Sequence, residues 1–171
     1  MSHSDTHNPW VVRASISSDQ SWELIKKLVA APQKDLLSGM EFTANVRFVE
    51  DPLFANLPCH DIVRSLPADY PGYLVFVVDA RSDQGNEHSL LVVGFSPQGD
   101  DPKDFARKPN QTPLEEIRSF RALPSTIQSI ENNLTIANMD FEDFRNAVHQ
   151  DGVFRGFASG QPINREAYRL R

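Results

Sequence analysis

The chain has 171 residues, 40% of them hydrophobic and 23% charged, which suits one globular domain that buries its core without covalent staples. Its net charge of −6 repels phosphate backbones, which argues against nucleic acid as a general partner and suits a basic protein partner. Cys59 is the single cysteine, so an intramolecular disulfide and a thiolate metal cluster are both excluded.

Residues 1–9 (MSHSDTHNP) are polar, lack the basic start and apolar run of a signal peptide, and are expected to be disordered. Residues 10–16 (WVVRASI) read as the first strand, rich in β-branched side chains and without a helical stripe. A helix follows. Ser17 and Gln20 have capping-box spacing, Trp22, Ile25, Leu28 and Val29 form one apolar stripe, and Pro32 ends it. Beyond Gly39, residues 44–49 (ANVRFV) alternate as a half-buried strand, with Val46 and Phe48 on one face and Asn45 and Arg47 on the other. This β-α-β order requires a crossover, for which the right-handed path is strongly preferred.

Pro58 opens a short helix carrying Ile62, Val63 and Leu66, stopped by Pro67. Residues 73–80 (YLVFVVDA) and 89–95 (SLLVVGF) are continuously apolar, which places them at the centre of a sheet covered on both faces. The connection between them is too short for a helical crossover, so an antiparallel hairpin is expected. Even the longest apolar run, residues 74–78, falls far short of a membrane span, and the cytoplasm is the expected compartment.

Residues 97–113 are rich in Pro, Asp, Lys and Asn without apolar periodicity and read as a mobile loop. Residues 117–123 (IRSFRAL) return as a strand whose broken alternation suggests a bulge. A helix beginning at Pro124 or Ser125 carries Ile127, Ile130 and Leu134 and ends at Asn138 in a left-handed conformation. Asp140 caps the next helix, with Met139 and Phe144 at staple positions, and Gly152 terminates it. Residues 153–157 (VFRGF) form a last short strand, and residues 158–171 are a tail.

The ENNLTIANMDFEDF stretch at 131–144, followed by DGVFRGF at 151–157, resembles an uncharacterised bacterial family known only as a domain of unknown function. The likeness extends more loosely back through VRFVEDPLFANL and YLVFVVDA to WVVRASISSDQSWELI, and so covers residues 10–157. What the resemblance implies is a fold unit. No catalytic residue, ligand or partner comes with it.

Several constellations invite chemistry. Glu131, Asp140, Glu142 and Asp143, with Asn132, Asn133 and Asn138 nearby, offer oxygen ligands of the kind hard cations prefer. Acids in a first helical turn are equally explained by the helix dipole, and Asp140 has a capping job. Asn132 and Asn133 stand about 100° apart on the helix, so at most one lies near its apolar face; such an Asn either bonds a neighbouring backbone or recognises a ligand or partner. Arg155, if inward, needs a carboxylate, and Glu131 or Asp140 is the natural choice for a clamp on the last strand. Cys59-His60-Asp61 names the members of a thiol triad, but adjacency does not supply convergence, and a surface or half-buried thiol is the plainer reading. His3 and His7 have metal-like spacing in an unsupported segment. Arg118 and Arg121 around Phe120 read as a solvated strand face. No phosphate loop, nucleophile elbow or dinucleotide fingerprint occurs, and neither a cofactor nor a metal is implied.

The expected fold is a single α/β (α+β mixed) domain over residues 10–157, with a five- to six-stranded mixed sheet, helices packed on it and a C-terminal helix pair. The expected function is a non-enzymatic protein-interaction module, in one version an acidic immunity or accessory protein binding a protein partner. The alternative is a small-molecule binder or hydrolase using the Glu131/Asn133/Asp140/Arg155 neighbourhood. The candidate binding residues are Glu131, Asn132, Asn133, Asp140 and Arg155.

Overall fold

Strand β1 (Trp10–Arg13) enters the middle of the sheet with Val11 and Val12 fully buried on opposite faces, as β-branched neighbours in a central strand require. The computed structural model describes residues 7–35 and 38–157. Pro9 is buried and its carbonyl accepts the Arg47 amide, so residues 7–9 are tied to the sheet rather than disordered as their polarity suggested. The rest of that segment and the tail at 158–171 lie outside the described residues.

Helix α1 (Asp19–Ala30) begins one residue later than expected: Ser18 is its cap and accepts the Ser21 amide, while Ser17 gives its hydroxyl to Asp83. Trp22, Ile25 and Val29 of the apolar stripe are buried, and Leu28 is left at its exposed flank. An antiparallel ribbon follows, β2 (Gln33–Lys34) with β3 (Glu41–Phe42), too short to show any alternation in the sequence. Strand β4 (Arg47–Val49) then lies parallel to β1.

Helix α2 (Cys59–Ser65) carries the chain back across β1 to β5 (Leu74–Val78), which pairs parallel with β1 on its other side. The two crossovers use opposite faces: α1 packs with Val11 and Phe76, α2 with Val12 and Val77. β5 and β6 (Leu90–Gly94) pair antiparallel, and their connection holds a short helix, α3 (Ala80–Gln84), capped by Asp79. The 97–113 segment, expected as a mobile loop, contains helix α4 (Pro102–Phe105) and a 3-10 turn at Pro109–Gln111, anchored by buried Pro109 and Thr112. Single anchoring residues leave no periodic trace.

β7 (Arg118–Ala122) pairs with β6 in unbroken register from Arg118 opposite Gly94 to Ala122 opposite Leu90, so the expected bulge does not form. Helices α5 (Ile127–Thr135) and α6 (Phe141–Arg145) join α1 on its face through Ile127, Ile130 and Phe144. Ala137, rather than Asn138, takes the left-handed conformation between them, at φ 53°. Gly152, at φ 78°, lies in the turn before β8 (Val153–Phe154) and not at the helix end, which comes at Arg145. β8 adds parallel to β7, completing a six-stranded mixed sheet in the order β4-β1-β5-β6-β7-β8. The fold class read from the sequence is therefore correct.

Candidate functional site

In open α/β sheets, ligands usually sit beyond the carboxyl ends of the strands, where neighbouring connections diverge. Here that point lies between β1 and β5. Most of the buried polar side chains gather along this edge, in clusters around Arg13 on one face of the sheet and Arg121 on the other. Arg13 reaches Asp19 and Glu50, each at 2.5 Å, with its guanidinium 5.9 Å from the Trp22 ring centre. Ser15 and Ser17 both give their hydroxyls to Asp83.

Arg121, only 7% exposed, forks onto Asp79 at 2.7 and 2.8 Å, bonds the Ser89 hydroxyl at 3.1 Å and the Ser89 carbonyl at 2.6 Å. Burial works to raise the Asp79 carboxyl, but the Arg121 fork and the Ser82 bonds outweigh it and hold the group below its ordinary value. Arg121 is thus no solvated strand residue, and Phe120 beside it belongs to the core on the other face. This edge is a brace tying β1, β4, β5, β6 and β7 together.

The structure disperses the sequence candidates. Glu131 is 4% exposed; it accepts the Asn45 amide at 3.2 Å and the Thr135 hydroxyl at 3.4 Å, and burial pushes its carboxyl up. Asn132 is exposed. Asn133 donates to the Ser129 carbonyl at 2.7 Å and accepts from the Asn138 side chain at 2.7 Å, so it closes the end of α5. Asp140 is exposed at the start of α6, its amide bonded to Asp143 at 2.8 Å.

Arg155 pairs with Glu87 and Asp151, not with Glu131 or Asp140. Because β8 runs parallel to β7, Arg155 emerges at the carboxyl edge beside the α3–β6 turn, whereas Asp140 lies at the opposite edge. Asp151 is held below its usual range by that guanidinium.

The Cys59 thiol is half-buried and raised by desolvation, the reverse of an activated nucleophile. Among the described residues, no group of three or more His, Cys, Asp and Glu side chains is placed to hold a metal ion, and no helix is long and apolar enough to cross a membrane.

The opposite edge is open. Where β5 begins and β6 ends lies a hollow of about 520 Å³, floored by Leu74, Gly94 and Phe141. One wall is the α5–α6 turn, with Leu134, Ala137 and Met139; the other is Pro9 and the Pro71-Gly72-Tyr73 corner. Its depth depends on Gly94, since a Cβ there would stand 2.6 Å from the Phe141 ring. His7, Asp140, Ser96 and Thr135 supply its polar lining groups, and Ser96 accepts from Arg118, whose guanidinium lies 5.0 Å from the Phe141 ring centre.

Ile136, 63% exposed, stands in the α5–α6 turn between Thr135 and Ala137, which line the hollow, whereas Phe105, 52% exposed and edge-on to Tyr73 at 6.5 Å, borders a separate depression with Phe95 and Arg107. Of the five candidate binding residues, Asp140 alone lines this hollow. The sequence signal for it was Ile136-Ala137, an apolar pair that continues no buried stripe.

A family model described as a domain of unknown function (DUF6924) matches residues 8–157. No curated protein and no solved structure matches the chain.

Proposed function

The chain belongs to this domain-of-unknown-function family, and on its geometry we propose that it is a non-enzymatic interaction module whose binding surface is the amino-edge hollow with the exposed Ile136 beside it. The observation carrying this reading is an apolar depression floored by Leu74 and Phe141 beside Ile136, which is left 63% exposed. Apolar surface of this kind is costly to leave in water and marks docking sites. The net charge of −6 supports a basic protein partner, whose approach it would steer. In one concrete version the protein is a bacterial immunity or accessory protein acting in the cytoplasm, where a lone half-buried thiol stays reduced.

A second reading is a small-molecule binder, favoured by the hollow's volume, which falls within the usual range for such pockets. Of the Glu131, Asn133, Asp140 and Arg155 set, Asp140 alone lines that hollow.

The discriminating experiment is quantitative affinity purification from the source cells. The wild-type chain is compared with Ile136→Asp, between the lining residues Thr135 and Ala137, and with Leu53→Asp, a control at a 57% exposed residue whose chain neighbours do not line the hollow. A partner lost with Ile136→Asp and kept with Leu53→Asp supports the proposal; a partner indifferent to both refutes it. A thermal-shift screen of small molecules tests the second reading.

A further inference from the structure

We infer that the hollow receives a short basic–apolar segment of a protein partner: one bulky aliphatic or aromatic side chain enters it, and an adjoining Lys or Arg meets Asp140. The inference rests on the interaction-module reading and specifies its partner. The floor of Leu74, Gly94 and Phe141 is apolar and offers no charge to a ligand seated on it.

The Arg118 guanidinium, 5.0 Å from the Phe141 ring centre, is already engaged by Glu142 at 2.9 Å and Ser96 at 2.8 Å. Of the residues lining the hollow, Asp140 is the carboxylate and His7 the imidazole, so the anionic group offered to a ligand is Asp140. An apolar floor with a lining carboxylate complements a hydrophobic anchor flanked by cations, and disfavours an acidic or purely polar segment.

The test is selection from a random dodecapeptide display library on the full chain, followed by anisotropy titration of the enriched peptides as labelled synthetics. Enriched sequences are expected to pair Leu, Ile, Met or Phe with a neighbouring Lys or Arg. Asp140→Asn keeps a good helix cap while removing the charge, and should weaken binding about fivefold at low salt, with the difference shrinking as salt rises. Thr135→Trp, which fills the hollow from its wall, and Ile136→Asp, on its rim, should each weaken binding by more than about tenfold. Ile136 is 63% exposed, so that second variant reports on binding even where the first disturbs folding. Peptides without basic residues, or binding unmoved by Asp140→Asn, overturn the charge inference while leaving the hollow as the site. Binding indifferent to Thr135→Trp and Ile136→Asp, or no enrichment, overturns both.

Discussion

Replacing Arg121 by Ala tests whether the carboxyl edge is a brace. The side chain is 7% exposed and ties Asp79 at the end of β5 to Ser89 at the start of β6, from its own place on β7. Its loss leaves the Asp79 carboxylate with Ser82 alone from this cluster and takes the Arg121 donor from the Ser89 carbonyl, which keeps the Ser82 hydroxyl. Breaking a buried ion pair from one side costs about 3–5 kcal/mol. Asp79 is 32% exposed, so water can reach it and the low end applies, about 3 kcal/mol, or roughly a 6–12 °C fall in melting temperature for a chain of this size. Arg121→Lys keeps the charge but not the fork, and should lose about half as much. The sign with pH follows from the depressed Asp79 carboxyl. Its stabilisation is complete above the unfolded value of 3.8 and is lost as pH falls from there through the folded value, so wild type and Arg121→Ala converge in acid. Urea denaturation at neutral pH and in acid measures both effects. A loss below about 1 kcal/mol for Arg121→Ala, or Arg121→Lys equal to wild type, would refute the brace.

Three further outcomes follow from other residues. Gly94→Ala drives a methyl into the Phe141 ring and should cost about 1–3 kcal/mol by calorimetry while altering the near-ultraviolet signal of the displaced aromatic cluster. Glu131→Gln should raise the melting temperature at neutral pH: burial raises the Glu131 carboxyl, so the folded state takes up a proton before the unfolded one, and wild-type stability declines as pH rises from 4.5 through the folded value. Gln retains an acceptor for the Asn45 amide, and a variant less stable than wild type at neutral pH would contradict this account. Cys59 should alkylate with iodoacetamide more slowly than a free thiol near pH 8 and recover that rate in denaturant; a native rate equal to the free thiol would contradict the half-buried, raised thiol.

Elements whose burial repeats along the chain were legible in the sequence, and elements held by single contacts were not. β5 and β6 announced themselves because every or nearly every side chain is buried. The α1 stripe did so because Trp22, Ile25 and Val29 recur at helical spacing. The β2–β3 ribbon and the turns between residues 97 and 113 escaped, because two-residue strands and isolated anchors such as Thr112 carry no period. Pairings across the sheet were less legible still. Arg155 needed a carboxylate, as its chemistry demanded, but whether that carboxylate was Glu87 or Glu131 depended on the direction of β8, which is a property of strand order. The hollow was hidden for the same reason. Gly94 and Phe141 are far apart in sequence, and only the register of β6 brings them into contact.

The antiparallel turn at β6 also explains why the two edges of one sheet differ. Had β5 been followed by another helical crossover, the carboxyl ends of β1 and β5 would open into the crevice that parallel sheets of this kind offer to ligands. Instead the chain turns back through α3, whose Asp83 takes the Ser15 and Ser17 hydroxyls beside that crevice, while Ser89 and Glu87 give Arg121 and Arg155 partners farther along the same edge. The same reversal brings the far end of β6 beside the start of β5. There Gly94 and Gly72 leave room, and the α5–α6 turn closes one side only. An edge whose polar groups bond one another gains stability and offers little to a partner. An edge left apolar and open carries an unfavourable exposure that docking would relieve, and on this physical ground we assign binding to the hollow rather than to the crevice.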